Sequence, residues 1–581
     1  MKNRKTFDRV RSMVRPYLKT VVFVTILAIL LDVIALSKPF LVKYVINELM
    51  SKGIYDNGFV SIMIVGLVYI GLVVLENIFD YFNSKKTNMV GESVVFDLRN
   101  KLYKYMTNAN IRFHDKVPSG KLFVRIMNDC EDVYTLFSEV ITTFVKDVLV
   151  LVGIVCVLIY VSWKLALISF SVIPLIIITS IVFTKLLNKV YTAIKNERTI
   201  LNTFLAESIY GVKLIKVFNR QREKQAECER LTTRYRNISK PVGFLQGMLP
   251  ASMIVIENLG IALIVWATVY KLTGTNVDIG LTYVFITYLK NMFEPIDRMI
   301  ENVEIVEEAV TSIDKVYEII EQDEYLEDFE SGRTVDKLQG KIEFKNVWFA
   351  YEDENWILKD VSFTVEPGQS MALVGKTGSG KTTITNLINR FYEPQKGEIL
   401  IDGVNIKEYN LKNLRKNIGT ILQDPFIYAK SIKDNVKMFD NISDFKVQEA
   451  VELASASDFV NNQKHGINTM AKERGNTYSA GQKQLLAFAR IFALNPSIFI
   501  LDEATANIDT TTEELIQKSV DKLSADKTSI FIAHRLATIV NVDKILVLSN
   551  GKIIEQGNHE ELVRSGGYYS SLYKAYYNSL V

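Results

Sequence analysis

The sequence predicts a multidomain protein: an all-α domain of six membrane-spanning helices with long cytoplasmic extensions, followed by an α/β P-loop domain. Three observations predict it. Long apolar runs dominate residues 1–300, short apolar strands alternate with helices over residues 341–581, and a glycine-rich loop joins a strand to a helix in that second part. We therefore place a transmembrane domain at 1–325, a polar linker at 326–340 and the α/β domain at 341–581.

The apolar runs predict spans at roughly 20–45, 58–82, 140–162, 164–190, 248–271 and 278–300, the last being the weakest. With its flanks, each run reaches the ~20 residues needed to cross a bilayer core. Buried helices of a soluble protein are the alternative, and five strong runs in one half of the chain argue against it. Residues 1–19 are basic and amphipathic and lead directly into the first span, which predicts an interfacial helix and no cleavable signal peptide.

Loop charge predicts the orientation. The segments 83–139 and 185–240 are long and rich in Lys and Arg, whereas the connections near 50–58, 162–164 and 271–277 are short and contain few. The positive-inside rule therefore places the long segments, both termini and the α/β domain in the cytoplasm of a multi-pass cell-membrane protein. The long segments have amphipathic helical patterns and are expected to turn at Pro118–Gly120 and at Gly211.

Composition excludes some classes of function. The net charge of +3 gives no broad basic field for nucleic acid, so we expect no nucleic-acid partner. Cys130, Cys156 and Cys228 lie far apart without CxxC spacing, which argues against a disulfide scaffold or a zinc site.

The stretch SMALVGKTGSGKTTI contains a GxxxxGK[ST] motif between an apolar strand and a helix start. The glycines let backbone N–H groups approach phosphate oxygens, Lys381 offers a positive charge to them, and Thr382 can ligate Mg²⁺. The candidate phosphate-binding residues are Gly375, Lys376, Thr377, Gly378, Ser379, Gly380, Lys381, Thr382 and Thr383.

Four further residues are candidates at strand ends. Asp502 ends the apolar strand SIFILD and is expected to help hold Mg²⁺ together with Thr382 and Gln423, and the adjacent Glu503 is placed to polarise an attacking water. A lone Asp-Glu pair is usually a solvated strand end. Here the apolar strand, the phosphate loop and their order along the chain all agree with a nucleotide site instead. His534 and Gln423 follow similar strands and are expected at the same sheet edge, where ligands of α/β domains bind. Tyr351 precedes the loop and can stack on a base.

The stretch GNTYSAGQKQ, residues 475–484, has the form of a helix start that offers N–H groups to an anion without a lysine of its own. Together with the motifs described above, this stretch makes the chain resemble the ATP-binding cassette (ABC) exporters of the half-transporter kind over nearly its whole length. The motifs that resemble the family's, in its order, are Tyr351, Gly375–Thr382, Gln423, Glu473–Gly475, Ser479–Ala480–Gly481–Gln482, Ile498–Glu503, Asp509 and His534.

The resemblance implies an ATP hydrolase that uses ATP and Mg²⁺ and works as a dimer. Glu503 is then the general base, His534 contacts the γ-phosphate, and residues 479–482 serve the nucleotide held by a second half-transporter. The implied function is ATP-driven export of a hydrophobic or amphipathic drug, lipid or peptide across the cytoplasmic membrane by alternating access. A membrane-anchored ATPase with a mechanical or regulatory role and no solute is the alternative; an importer is disfavoured because both parts lie on one chain.

Two features bear on partner and cargo. The family signature usually reads Leu-Ser-Gly-Gly-Gln, whereas Tyr478 and Ala480 stand here in place of the leucine and the first glycine, which favours a heterodimer over a homodimer. Asp32 and Glu257 lie inside apolar runs and Glu76 ends one. Such carboxylates either line a cavity for cationic compounds or form structural pairs, for example with Lys38 or Lys146.

Overall fold

The computed structural model describes residues 2–49, 58–270, 278–322, 325–352, 354–438, 440–502, 509–532 and 539–577. The chain divides into two compact units: residues 1–107 with 119–322, and residues 108–118 with 323–581. The short segment 108–118 therefore belongs to the same unit as the C-terminal part of the chain.

The described residues of the first unit are almost entirely helical, since its sequence contains few glycines or prolines and a helix satisfies the backbone N–H and C=O groups of apolar stretches internally. Its helices are Lys2–Val14, Leu18–Tyr44, Gly58–Asn108, Ser119–Val124, Cys130–Thr135, Ile141–Phe170, Ile173–Tyr210, Val212–Val217, Gln221–Val269 and Ile279–Ile320. A 3₁₀ turn at Arg15–Tyr17 and π-helical turns at Val45–Leu49, Arg125–Asp129 and Leu136–Val140 join some of them.

Among the described residues, five helical stretches are long and apolar enough to cross a membrane, judged by length and composition: Arg4–Glu48, Val60–Asn108, Ser119–Phe170, Ile173–Tyr210 and Gln221–Val269. Many of their large apolar side chains are exposed, as for Leu67 and Ile70 at 62% and 59%. Such faces suit lipid rather than water. The sixth predicted span, 278–300, lies in the helix Ile279–Ile320 and is not among the five, since Lys290 and Glu294 interrupt its apolar run.

Some breaks between helices fall where the sequence predicts them, whereas the predicted span 164–190 is itself interrupted at Ser171–Val172, just before Pro174 in the first turn of the helix Ile173–Tyr210. Ser162 leaves the helical conformation, with φ −162° and ψ 98°, within the predicted connection 162–164. One long excursion turns through the short helix Ile111–Lys116 and Pro118, and the other turns at Gly211, which separates two helices. The predicted helical extensions and the break at Gly211 are thus confirmed, whereas the first excursion turns over 109–118, ahead of the predicted Pro118–Gly120, and Ser119 and Gly120 already belong to the helix Ser119–Val124.

Buried charges in the first unit are mostly paired. Asp147 is fully buried and accepts two hydrogen bonds from the Arg298 guanidinium, at 2.6 and 3.2 Å. Glu76 pairs with Lys38 at 2.5 Å, as the structural alternative predicted. Glu257 lies 3.6 Å from Lys290. Asp32 differs: its side chain is 5% exposed, and its Oδ2 is buried with no hydrogen-bond partner among the described residues.

The second unit contains two sheets. Its strands are β1 (Ile342–Phe349), β2 (Leu358–Val365), β3 (Ser370–Val374), β4 (Lys396–Ile401), β5 (Val404–Asn405), β6 (Ile418–Ile421), β7 (Ile498–Asp502), β8 (Thr528–Ile532), β9 (Lys544–Ser549) and β10 (Lys552–Gly557). An antiparallel sheet has the order β2-β1-β4-β5, and a second sheet has the order β10-β9-β3-β8-β7-β6. From β9 to β6 the second sheet is parallel, which confirms the predicted largely parallel core.

The parallel strands are buried on both faces. Phe499 and Phe531 enter one apolar core, whereas Ile500 and Ile530, their neighbours along the strands, enter the other. Burial on both faces explains why these strands are continuous apolar runs rather than alternating ones. The covering helices include Lys381–Ile388, Leu411–Lys416, Ile432–Lys437, Asp444–Leu453, Ser457–Asn461, Ala480–Leu494, Thr510–Ser524, His559–Arg564 and Tyr568–Tyr577.

The Asp147–Arg298 pair generates a prediction on stability. Replacing Arg298 by Ala strips the buried carboxylate of its partner, and breaking a buried ion pair from one side costs about 3–5 kcal/mol. We expect Arg298→Ala to lower the thermal midpoint of the detergent-solubilised protein clearly. The matched control is Lys146→Ala, which breaks a more exposed pair with Asp80 at 3.4 Å. Equal midpoints for the two variants would contradict a stabilising role for the buried pair.

Candidate nucleotide-binding site

The register of the parallel sheet brings the candidate strand ends to one edge. Leu373 of β3 is aligned with Ile532 of β8, which in turn is aligned with Asp502 of β7. Ile421 of β6 is aligned with Leu501. The phosphate loop, Gln423 and Asp502 therefore leave the sheet at its carboxyl edge, where ligands of α/β domains bind.

Two glycines set the shape of the phosphate loop. A Cβ on Gly375 would lie 2.3 Å from the Leu548 carbonyl oxygen, so only glycine lets the loop pass this close to β9. Gly380 has φ +105° and precedes the helix Lys381–Ile388, which no side chain caps. The loop thus presents backbone N–H groups at a helix start that is open to an anion.

Lys381 and Ser379 fit a phosphate ligand. The Lys381 ammonium donates to the carbonyl oxygens of Gly375 and Lys376, at 2.8 and 3.0 Å, and so lies across the loop. Ser379 is 5% exposed, and its Oγ has no hydrogen-bond partner among the described residues. A buried cation and an unpaired buried hydroxyl beside uncapped N–H groups match the oxygen-rich anion that the motif predicts.

Tyr351 lies beside the helix that follows the loop. Its hydroxyl is 3.3 Å from Thr383 Oγ1 and accepts a hydrogen bond from Asn386 at 3.2 Å. The ring is 37% exposed and packs edge-on against Phe349. The structure thus brings the predicted base-stacking ring to the predicted phosphate-binding helix, with part of its surface open.

Gln423 is exposed and is positioned through its backbone. Gln484, on the helix Ala480–Leu494, is 2% exposed and donates to the Gln423 carbonyl oxygen at 3.0 Å. From the same helix, Arg490 donates to the carbonyl oxygens of Phe426 and Asn435, at 2.7 and 2.8 Å. Sequence reasoning missed both residues, although two long polar side chains inside the run QLLAFARIFAL are a signal of buried partners.

Two predicted catalytic residues, Glu503 and His534, lie outside the described residues. Asp502 is described, half-buried at the end of β7, and Thr382 is exposed in the first turn after the loop. Within the described ranges, three or more His, Cys, Asp or Glu side chains do not gather into a metal site. The hydroxyl of Thr382, the amide of Gln423 and the carboxylate of Asp502 are oxygen donors of the kind that Mg²⁺ prefers.

The helix Ala480–Leu494 begins with a complete cap. Ser479 Oγ accepts the Gln482 N–H at 3.2 Å, and Gln482 Oε1 accepts the Ser479 N–H at 3.0 Å. Ala480 is exposed at the first helical position, and Gly481 is buried. The helix start is well formed, so any effect of Ala480 concerns a ligand in front of it rather than the helix itself.

Two further motif residues, Tyr478 and Asp509, have structural roles as well. Tyr478 is buried, with its ring edge-on to Phe459 at a centroid distance of 5.2 Å, so it fills the core where the resembled family has leucine. Asp509 caps the helix Thr510–Ser524, and hydrogen bonds from Thr511 and Thr512 lower the pKa of its carboxyl to about 2. Asp509 is therefore ionised throughout the physiological pH range.

Comparison with known proteins identifies both parts of the chain. Residues 21–296 match the family described as ABC transporter transmembrane region, and residues 358–506 match the family described as ABC transporter. A putative ABC transporter ATP-binding protein of Streptococcus pneumoniae is 36% identical over 87% of this chain and 87% of its own length.

Further relatives match this chain over three quarters or more of their own length. A probable multidrug resistance ABC transporter ATP-binding/permease protein of Bacillus subtilis is 35% identical over 87% of this chain and 76% of its own length. An ATP-dependent lipid A-core flippase of Haemophilus ducreyi is 30% identical over 98% of this chain and 97% of its own length. Among solved structures, a bacterial Atm1-family ABC exporter with ATP bound superposes with a TM-score of 0.78 at 26% identity, covering 96% of this chain and 98% of that one.

The phosphate loop at the sheet edge, the capped helix at Ser479 and the apolar helices of the first unit agree with these matches. The chain belongs to the ABC transporter family, as an exporter in which ATP hydrolysis is coupled to transport.

Proposed function

We propose that the chain is one half of a dimeric exporter that moves a hydrophobic or amphipathic solute across the cytoplasmic membrane. The observation that carries the proposal is that one chain holds both membrane-length helices and a complete phosphate loop. Both termini and the ATPase domain lie in the cytoplasm. ATP binding turns the cavity outward, and hydrolysis resets it.

The proposed roles follow from position. Lys381 and the loop N–H groups hold the phosphates, and Tyr351 stacks on the base. Thr382, Gln423 and Asp502 hold Mg²⁺ directly or through water, and the ion neutralises charge on the phosphates when bound. Glu503 takes a proton from the attacking water, and His534 contacts the γ-phosphate.

ABC exporters act as dimers in a lipid bilayer, and two features of this chain support a partner half-transporter. The helix start at Ser479 offers N–H groups but has no lysine of its own, so it suits a nucleotide held by the partner. The turn around the helix Val212–Val217 exposes apolar side chains, with Val217 at 78% and Phe218 at 65%. Exposed apolar turns of this kind indicate a protein contact.

The chemical class of the cargo rests on the relatives. Their names describe multidrug resistance and lipid flipping, which agree with a large apolar or amphipathic solute. A membrane-anchored ATPase without a solute is the alternative, and five membrane-length helices exceed what an anchor requires. ATP-driven movement of a solute into vesicles that contain the purified protein decides between them. Vigorous ATP hydrolysis without solute movement, across a panel of drugs, lipids and peptides, would support the alternative.

Glu503 and Lys381 give contrasting expectations. Glu503→Gln keeps size and hydrogen bonding but removes the base, so ATP still binds and turnover falls about 10²–10⁴-fold. Lys381→Ala weakens ATP binding itself, because it removes the charge that lies across the loop. Turnover and ATP affinity of both variants are measured on purified protein. Turnover of Glu503→Gln within about threefold of wild type would refute its assignment as the base.

Asp32 and Glu257 test the nature of the cargo. Neutralising both, as Asp32→Asn with Glu257→Gln, should lower transport of a cationic dye about tenfold relative to a neutral one, a difference of roughly 1.4 kcal/mol. Asp32 is the stronger candidate because its Oδ2 has no partner among the described residues. Glu76→Gln is the matched control, since Glu76 pairs with Lys38. An equal loss of transport for both dyes would contradict a role of these carboxylates in favouring cationic cargo.

Ala480 tests the identity of the partner. A methyl group at the first helical position adds bulk in front of a partner's triphosphate, so the site built on this chain's signature should hydrolyse ATP slowly. We therefore expect a heterodimer, in which co-expression with the proper half-transporter raises ATPase activity about tenfold over the chain alone. ATPase activity and assembly are measured for both preparations. A stable, fully active homodimer in which Ala480→Gly changes nothing would contradict the heterodimer.

A further inference from the structure

Three buried oxygen atoms on two neighbouring helices of the first unit have no hydrogen-bond partner among the described residues. They are Asp32 Oδ2 in the helix Leu18–Tyr44, and Asn83 Oδ1 and Thr87 Oγ1 in the helix Gly58–Asn108. Each of the three residues is only 5% exposed. Buried polar atoms in proteins are nearly always paired, so a group of unpaired oxygens indicates a ligand that they share.

Two contacts set the register between these helices. Lys38 pairs with Glu76 at 2.5 Å, and the Tyr17 hydroxyl, just before the first helix, donates to the Asp97 carboxylate at 2.6 Å. The same number of residues separates the two contacts on each side. The two helices therefore run antiparallel in a single register over this whole length.

In this register Asp32 lies at the level of Asn83. Asn83 and Thr87 are one turn apart and share one face of their helix. Thr87 lines a cavity of about 60 Å³ together with Thr25 and Ala28 of the opposite helix. Ala28 precedes Asp32 by one turn, so the carboxylate, the amide oxygen and the hydroxyl lie around one space between the helices.

The charges near Asp32 leave its carboxylate without a counter-ion. Lys146 and Asp147, on the helix Ile141–Phe170, are the charged groups that act on it. Lys146 pairs instead with Asp80 at 3.4 Å, and Asp147 is neutralised by Arg298 at 2.6 Å. A carboxylate within a membrane-spanning segment is costly unless it is compensated. One further positive charge therefore belongs at Asp32.

A monovalent cation suits this set of oxygens. A proton would satisfy one oxygen of Asp32, whereas a metal cation is coordinated by Asp32, Asn83 and Thr87 together. Ca²⁺ takes about six to eight oxygen ligands and draws on several carboxylates. Within the described residues, three or more His, Cys, Asp or Glu side chains do not gather anywhere. A single carboxylate with neutral amide and hydroxyl oxygens balances a single positive charge.

We propose that Asp32, Asn83 and Thr87 form a site for a small monovalent cation, Na⁺, which links the helices Leu18–Tyr44 and Gly58–Asn108. The carboxylate supplies the charge, the other two side chains supply neutral ligands, and the cavity has room for waters that complete the coordination shell. The site requires neither ATP nor cargo and so goes beyond the proposed function. The expected effect of Asp32 on cationic cargo concerns the same carboxylate, but Asn83 and Thr87 enter only the ion site.

Equilibrium binding of radiolabelled Na⁺ to the full-length protein in lipid nanodiscs tests the site, with choline keeping the ionic strength constant. We expect saturable binding of about one Na⁺ per chain. Asp32→Asn removes the charge and should abolish saturable binding. Thr87→Val keeps the shape of the side chain but removes its oxygen, so it should raise the half-saturating Na⁺ concentration about tenfold.

Thr25→Val is the matched control. Thr25 lines the same cavity, but its hydroxyl already donates to the Val21 carbonyl oxygen at 3.0 Å. The same substitution at this position should therefore leave the half-saturating Na⁺ concentration as in the wild type. A rise as large as that of Thr87→Val would show that the cavity, and not the unpaired hydroxyl, determines binding, and would contradict the proposed ligand set.

The thermal midpoint of the detergent-solubilised protein gives a second measurement. Replacing choline by Na⁺ should raise the midpoint of the wild type and of Thr25→Val, because a ligand that binds the folded state stabilises it. It should not raise the midpoint of Asp32→Asn. If Asp32→Asn loosens the fold, Thr87→Val still decides the question.

No saturable Na⁺ binding to the wild type, or equal binding to the wild type, Asp32→Asn and Thr87→Val, would overturn the site. A wild-type midpoint that rises on acidification but not with Na⁺ would show that a proton compensates Asp32 instead. Each of these results would leave the proposed ATP-driven export intact, because ATP hydrolysis and solute movement are measured separately.

Discussion

Everything proposed for the second unit depends on the parallel register of β3, β8, β7 and β6. Because neighbouring parallel strands run in the same direction, their carboxyl ends lie at one edge whatever the distance between them in the sequence. Asp502 and Leu373 are separated by more than a hundred positions, and both are aligned with Ile532. Double-sided burial by Phe499, Ile500 and their neighbours fixes that register.

Around this edge, polar side chains hold segments that the sheet does not fix. Gln484 and Arg490 hold the stretch after β6 from the Ala480–Leu494 helix, and Arg415 holds the stretch after the Lys381–Ile388 helix. The contacts of Arg490 and Arg415 are charge-assisted hydrogen bonds, which are directional and costly to break, and that of Gln484 is a buried amide hydrogen bond. They tie the loops at the carboxyl edge to helices that cover the sheet.

Local sequence patterns predict the helices of the first unit and the strand, loop and helix of the phosphate site. The apolar runs predict the membrane-length helices, and Gly375–Thr382 predicts the strand, loop and helix that the structure contains. Glycine spacing and hydrophobic periodicity act over a few residues, so the sequence displays them directly. Tyr351 was expected at the nucleotide because it precedes the loop in the sequence and can stack on a base.

Long-range pairing was not predictable. The linker reads as a polar, passive segment, yet Glu327 forms a buried bidentate pair with Arg415, 88 positions away. Asp115 and Tyr392 are separated by 277 positions, and nothing in either local pattern indicates the other. The run 278–300 was expected as the weakest of six spans, and it is not among the five membrane-length stretches because its charges lower its hydropathy. Its Arg298 pairs with Asp147, which lies on a different helix.

The central claim is that the helix Ala480–Leu494 of one chain, which begins at the signature residue Ser479, completes the nucleotide site of another chain. A complementation measurement tests this claim most directly. Lys381→Ala disables the phosphate loop, and Ser479→Asp keeps the helix cap but places a carboxylate where a triphosphate should lie. Two differently tagged copies of this chain are co-purified as a dimer, and the ATPase activity of two arrangements is compared with that of the wild-type homodimer, which we expect at about a tenth of the activity with the partner half-transporter. With one substitution on each copy, one composite site stays intact and activity should remain near half of wild type. With both substitutions on one copy and a wild-type partner, both sites are disabled, and activity should be lost. The reverse pattern would show that each chain completes its own site and would contradict the account.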